Sequence, residues 1–235
     1  MRYPAPLVAG RLIRRYKRFF ADVELGRGAA RRVVVAHCAN PGPMRTCAEV
    51  GGRVWLLPSS DPRRRLAWTW ELAEVGGALV SVNTARANQI VAEALAGGVI
   101  AELAGDGAVR REVPAGASRI DFLLEAARRR TWVEVKCATM DGGDGGAAFP
   151  DSVTVRGTRH LGELVRLRRR GDRAVLLFCV ARAGARTVRP ADEIDPAYGA
   201  ALRRAARMGV EVLAYRAAID RRGIALADRI EVELA

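Results

Sequence analysis

Two short stretches hold the residue types that hydrolytic chemistry needs. Residues 118–124 read Ser-Arg-Ile-Asp-Phe-Leu-Leu, and residues 132–136 read Trp-Val-Glu-Val-Lys. Both are aliphatic with polar side chains at alternate positions, the pattern of a β-strand. Side chains two apart on a strand share a face, so Glu134 and Lys136 are neighbours. Residues 125–131, which include Arg128-Arg129-Arg130, fit a hairpin turn, and pairing then brings Asp121 alongside. Two carboxylates and an ammonium on an otherwise apolar sheet suit phosphodiester cleavage assisted by Mg²⁺ or Mn²⁺. Carboxylate oxygens prefer hard divalent cations, and a lysine can orient water or neutralise charge developing on phosphate.

Composition sharpens this reading. All but two of the 39 cationic residues are arginine; the exceptions are Lys17 and Lys136. Against that background a lysine beside two carboxylates stands out, because a compact ammonium can act where a planar guanidinium cannot. Chance is the alternative, since Glu-x-Lys alone occurs often on solvated strands. Order, spacing and strand context favour the functional reading.

The elements that must position these residues fall into two groups. In residues 1–80, short strand candidates at 11–14, 19–25, 31–37, 53–57 and 68–72 are separated by Gly- or Pro-bearing turns. That density suggests a small OB-like barrel, a fold that commonly binds nucleic-acid strands. Residues 81–235 alternate helices and strands, as an α/β layer domain does. Helices are expected at 84–96, 156–170 and 196–208, and strands at 174–180 and 210–215. The glycine-rich residues 141–146 read as a flexible loop.

The length allows one large domain or two small ones, and half of the residues are hydrophobic, which excludes a disordered chain. The formal net charge of +13 makes nucleic acid the first partner to consider. Arg14, Arg15, Lys17 and Arg18 cluster with Tyr16 and Phe19, and Arg63, Arg64 and Arg65 precede Trp68 and Trp70. Arginines neutralise phosphates and exposed aromatics stack on unpaired bases. Most of these aromatics are expected in the core, with at least one arginine cluster on DNA. The arginines at 166–170 read as charge complementing a helix dipole. No apolar run is long enough to span a bilayer and no secretory signal is evident at residues 1–25, so a cytoplasmic protein without membrane association is expected. The four cysteines are dispersed and read as structural thiols. A zinc set built on His37, Cys38 and Cys47 would lack CxxC pairing and a nearby fourth ligand.

The chain resembles the sugar fermentation stimulation protein family of bacteria and archaea nearly end to end. The resemblance rests on Arg15-Tyr16-Lys17-Arg18-Phe19, His37-Cys38-Ala39-Asn40, Val82-Asn83-Thr84, the two strands above, Phe149-Pro150-Asp151, Arg156-Gly157 with His160-Leu161, and Ile194-Asp195-Pro196. It implies an OB-like β-barrel followed by a restriction-endonuclease-like α/β domain of the PD-(D/E)xK type. It also implies DNA binding, first described as regulation of sugar-utilisation genes. One stretch departs: where the family has His-Cys-Pro-Asn-Thr-Gly-Ser-Met, this chain has Pro41 and Pro43 in place of the two hydroxyl residues.

In nucleases of this type an acid on the preceding helix often completes the metal site, and Glu93 is the candidate; a solvated helix face is the other reading. His160 can touch the scissile phosphate, shuttle a proton, or hold its helix against the sheet. Asp151 should flank the active side of the sheet. The expectation is a DNA-binding protein with a divalent-metal nuclease site. A DNA-binding regulator on an inherited nuclease scaffold is the alternative, while nothing reads as a sugar pocket.

Overall fold

The computed structural model describes residues 1–116, 118–127 and 129–234. Arg128 of the expected turn lies outside the described residues, as does Ala235.

Strand β1 (Val8–Tyr16) pairs antiparallel with β2 (Phe20–Leu25) and β4 (Arg53–Pro58), β2 with β3 (Arg32–His37), and β4 with β5 (Trp68–Val75). A short parallel pairing of Ala36 and His37 in β3 with Trp68 and Thr69 in β5 closes these five strands into a barrel. Alternation fills it: Leu12, Ala21, Val23, Leu25, Val54, Leu56 and Trp70 all point inward. Gly10 is needed where β1 crosses β2, since a Cβ there would lie 2.5 Å from Val23 Cγ1. Strand β6 (Ala78–Ser81) pairs antiparallel with β5 and touches the second domain, where the Ser81 amide donates to the Ala181 carbonyl at 2.9 Å.

The Asn83 side chain accepts from the Ala85 amide and starts a helical turn that runs into α1 (Ala87–Ala96). Gly97 and Gly98 end the helix, the latter at φ +67°. Next come β7 (Ala108–Ala115), β8 (Ser118–Ala126), β9 (Arg129–Ala138), β10 (Met140–Gly143), β11 (Gly146–Phe149), α2 (Val155–Arg169), β12 (Arg173–Val180), β13 (Thr187–Pro190), α3 (Pro196–Arg207), β14 (Glu211–Ile219), β15 (Ile224–Arg229) and β16 (Glu231–Val232). The main sheet has the order β15-β14-β12-β9-β8-β7, with β9, β12 and β14 parallel. Helices cover both faces, so β12 is an almost continuous apolar run. Val175 and Leu177 pack toward α1, while Leu176 and Phe178 pack toward α2 and α3. In β9, Val133 and Val135 face α1, and Trp132 faces α2. Glu134 therefore enters the α2 side.

One feature differs from the sequence reading. Residues 141–146 are not a loose loop: they belong to the β10–β11 hairpin, and β11 pairs parallel with β13 in a second, four-stranded sheet. Gly143, Asp144 and Gly145 make its tip, all at positive φ. Residues 1–3 bridge the two domains, with Tyr3 packed on Trp55, Leu57 and Leu72 of the barrel. The Tyr3 amide donates to Arg222 and the Ile224 amide to Met1, tying them to the turn between β14 and β15. Among the described residues no helix is long and apolar enough to cross a membrane.

Candidate active site

The ladder between β8 and β9 ends at Phe122 opposite Val133. Just beyond, Asp121 Oδ2 accepts the Val135 amide hydrogen at 2.8 Å, in place of a strand partner. Asn88, at the start of α1, donates to Asp121 Oδ1 at 2.7 Å. Opposite, Glu134 is only 2 % exposed. Its Oε1 accepts from Lys136 Nζ at 2.6 Å and is also bonded to His160 Nδ1 on α2. Arg156 Nε donates to His160 Nε2 at 3.4 Å. A guanidinium can only donate, so Nε2 accepts and the hydrogen toward Glu134 sits on Nδ1.

Among the described residues, Glu134 Oε2 is buried without a hydrogen-bond partner. A buried oxygen left in that state costs free energy unless something else meets it. Asp121, Glu134, Lys136, Asn88, Arg156 and His160 all line one cavity of about 250 Å³. The two carboxylates are driven apart electrostatically. Burial, then the charge of Glu134, raises the Asp121 carboxyl above its ordinary value. Burial also pushes Glu134 up, but the His160 hydrogen bond and the Lys136 charge outweigh it, and the net shift is downward.

The arrangement can be tested against a hard divalent cation. Among the described residues no three His, Cys, Asp or Glu side chains form a ready-made set. Mg²⁺ does not need one, since it keeps several waters and is commonly held by one or two carboxylates plus substrate phosphate. The free Oε2 of Glu134 and the carboxylate of Asp121 fit that pattern.

The other expected site residues are scattered. Glu93 is a correction: it is exposed on α1 and ion-paired with the Met1 ammonium at 2.5 Å, away from the cavity. The helical residue at the site is an amide, Asn88, which a search for acids passes over. Asp151 lies on a neighbouring cavity, where its Oδ2 accepts the Met44 amide at 3.2 Å and holds a barrel loop against the second domain. His160 is buried between helix and sheet and also grips Glu134.

Of the basic clusters, Arg15 is occupied, its guanidinium donating to the Asn40 and Gly42 carbonyls at 2.8 and 2.7 Å. Arg14 pairs with Asp22 at 2.7 Å and Arg63 with Asp61 at 3.0 Å. Arg64 donates to Thr69 Oγ1 at 2.9 Å. Lys17, Arg18 and Arg65 are exposed, as is Phe19 at 43 %. Trp70 is core, and Tyr16 stacks on Phe20 at 5.6 Å. All four thiols are free, and burial, followed by the nearby Asp151 charge, pushes Cys47 up to about 12.

Comparison with known proteins agrees with this architecture. Residues 13–82 match the family described as SfsA N-terminal OB domain, and residues 85–223 match the sugar fermentation stimulation protein RE domain. A sugar fermentation stimulation protein homolog of Pseudomonas aeruginosa (strain LESB58) is 54% identical over 238 residues, covering 100% of both chains. The homolog of Thioalkalivibrio sulfidiphilus is 49% identical, covering 100% of this chain and 99% of its own. The structure of Pyrococcus furiosus SfsA in complex with Ca²⁺ superposes with a TM-score of 0.89 at 26% identity, covering 99% of this chain and 98% of that one. A match on both domains, with relatives that align from end to end, makes this chain a member of the sugar fermentation stimulation protein family.

Proposed function

We propose that this chain binds DNA and hydrolyses phosphodiester bonds at Asp121, Glu134 and Lys136 with Mg²⁺ or Mn²⁺, through a PD-(D/E)xK-type site. The observation that carries the reading is Glu134: a buried carboxylate with one oxygen held by Lys136 and His160 and the other without a partner among the described residues. A protein that only bound DNA would gain nothing from that unmet cost. The Pyrococcus furiosus relative is a complex with Ca²⁺, another hard, oxygen-seeking cation, which supports the choice of metal.

In this reading Glu134 and Asp121 would hold the cation. When bound, it polarises a phosphoryl oxygen and lowers the pKa of a water. Asn88 and the Val135 amide fix Asp121, and His160 fixes Glu134. Lys136 spends one N–H on Glu134 and has two left to orient the attacking water and to meet charge building on the phosphate. The water oxygen bonds to phosphorus as the water gives up a proton to solvent, the bond from phosphorus to the leaving oxygen breaks, and that oxygen takes up a proton from solvent. The products are a phosphomonoester and a hydroxyl. On the barrel, Lys17, Arg18 and Phe19 at the β1–β2 turn supply an exposed cationic and aromatic contact for DNA.

The test is metal-dependent thermal stability. Mn²⁺ should raise the wild-type melting temperature by mass action, and Asp121→Asn should abolish the rise. Glu93→Gln, outside the cavity, should keep it. An equal rise in wild type and Asp121→Asn puts the cation elsewhere.

A further inference from the structure

A second cavity, of about 290 Å³, adjoins the first. Thr84, Val135, Lys136 and Cys137 line both, so Lys136 stands on their common wall. A phosphate at Lys136 must send a flanking nucleoside into this space or out to solvent. The cavity is built from both domains: Pro41 and Gly42 come from the barrel, and Met140, Phe149, Asp151 and Ser152 from the second domain.

The barrel wall is fixed. Asn40 Nδ2 donates to the Val82 carbonyl at 3.1 Å, and the Gly42 amide donates to Asn40 Oδ1 at 2.9 Å. Arg15 clamps the same loop through the Asn40 and Gly42 carbonyls, and Asp151 holds the Met44 amide. Gly42 packs so closely that a Cβ would fall 2.3 Å from Asp151 Oδ2. The opposite wall is equally set, since the Phe149 ring packs at 5.9 Å from Phe178 and 5.3 Å from Tyr198.

Walls of this kind match one chemistry. Phe149, Met140 and Pro41 offer apolar surface to a flat ring, while Ser152 and Asp151 offer polar atoms to its edge. A nucleobase has apolar faces and a polar rim, and stacking tolerates any base. A paired base cannot enter without leaving its partner.

We propose that this cavity receives the unpaired nucleoside next to the scissile phosphate, so that the substrate is single-stranded nucleic acid or the unpaired segment of a branched one. This rests on the phosphodiester-hydrolysing reading of the Lys136 site, and binding measured without metal tests it separately from cleavage. With chelator present, fluorescence anisotropy of the full chain should show a labelled single-stranded oligonucleotide bound about tenfold or more tighter than a hairpin duplex of equal length. Ser152→Trp, which fills the cavity, should lose about tenfold or more of the single-strand affinity, the scale of one stacked base. It should leave duplex affinity and the Mn²⁺ melting shift unchanged, while Ser152→Ala, which removes one polar contact to the base edge and keeps the cavity open, should lose only the few-fold of one hydrogen bond. Should Ser152→Trp not fold, an oligonucleotide carrying 4-thiothymidine, photocrosslinked to the wild type, should mark Met140 or Phe149. Unchanged single-strand affinity in folded Ser152→Trp, a duplex preference in wild type, or crosslinks confined to the barrel would overturn the proposal. Failure of the hydrolytic reading would instead appear as absence of metal binding and cleavage with single-strand binding intact.

Discussion

Lys136→Met in metal-free protein isolates the electrostatics of the site. The Lys136 and Glu134 side chains are 11 % and 3 % exposed, and their contact is 2.6 Å, so solvent screens the pair little. Removing one partner of a buried pair costs about 3–5 kcal/mol, because the remaining charge is left uncompensated. His160 still bonds Glu134, which argues for the lower end, about 3 kcal/mol. With a urea m-value of about 3 kcal/mol/M for a chain of this size, the midpoint should fall by about 1 M at unchanged m. Adding Glu134→Gln should restore most of that loss, since a neutral amide needs no ammonium. The double-mutant cycle then gives the coupling directly. Mn²⁺ should stabilise Lys136→Met more than wild type, as the cation replaces the missing positive charge beside Glu134. A loss below about 1 kcal/mol, or a double variant weaker than the single, would refute the reasoning.

Three further outcomes rest on the same structure. Asp121 has a raised carboxyl, so in metal-free protein its contribution to stability is present below about pH 4 and lost as the pH rises through its folded value. Asp121→Asn should therefore melt higher than wild type near neutral pH, with the advantage shrinking toward about pH 4; thermal melts in chelator across pH check this, and an advantage that grows in acid contradicts it. Lys17→Ala with Arg18→Ala should weaken DNA binding and flatten the slope of log K against log salt by about 2, one per phosphate contact. Changing Arg63, Arg64 and Arg65 to Ala should flatten it less, because Asp61 and Thr69 already hold two of them; a larger effect there would reverse the assignment.

The convergence of Asp121, Glu134 and Lys136 was legible because strand alternation puts residues two apart on one face, and because lysine is so rare in this chain. His160 was also singled out, but the rest of the surroundings was not. Glu93 was attractive by type, yet five residues from Asn88 it sits about 140° round the helix and about 7.5 Å further along it. Asn88 carries no charge to draw notice. The hairpin at residues 140–149 was hidden by glycine and aspartate, which lack strand propensity; its parallel pairing with β13, remote in sequence, overrides that. Arg15 shows the same limit for charge: the sequence reveals a guanidinium, but only the folded loop reveals that carbonyls already occupy it. The barrel was legible from strand spacing, whereas its closure through Ala36 and Trp68 is a tertiary fact.

The central claim is hydrolysis at this site, and one cleavage assay addresses it. End-labelled single-stranded, duplex and branched DNA should be incubated with wild type, Lys136→Ala and Lys136→Arg, each with Mg²⁺, Mn²⁺ or chelator. The account predicts cutting by wild type only when metal is present. It predicts a loss of roughly two or more orders of magnitude in Lys136→Ala at nearly unchanged DNA affinity, and no rescue by the planar guanidinium of Lys136→Arg. A wild type that binds DNA but cuts none of the three substrates with either metal would contradict the claim and leave a DNA-binding protein without this chemistry.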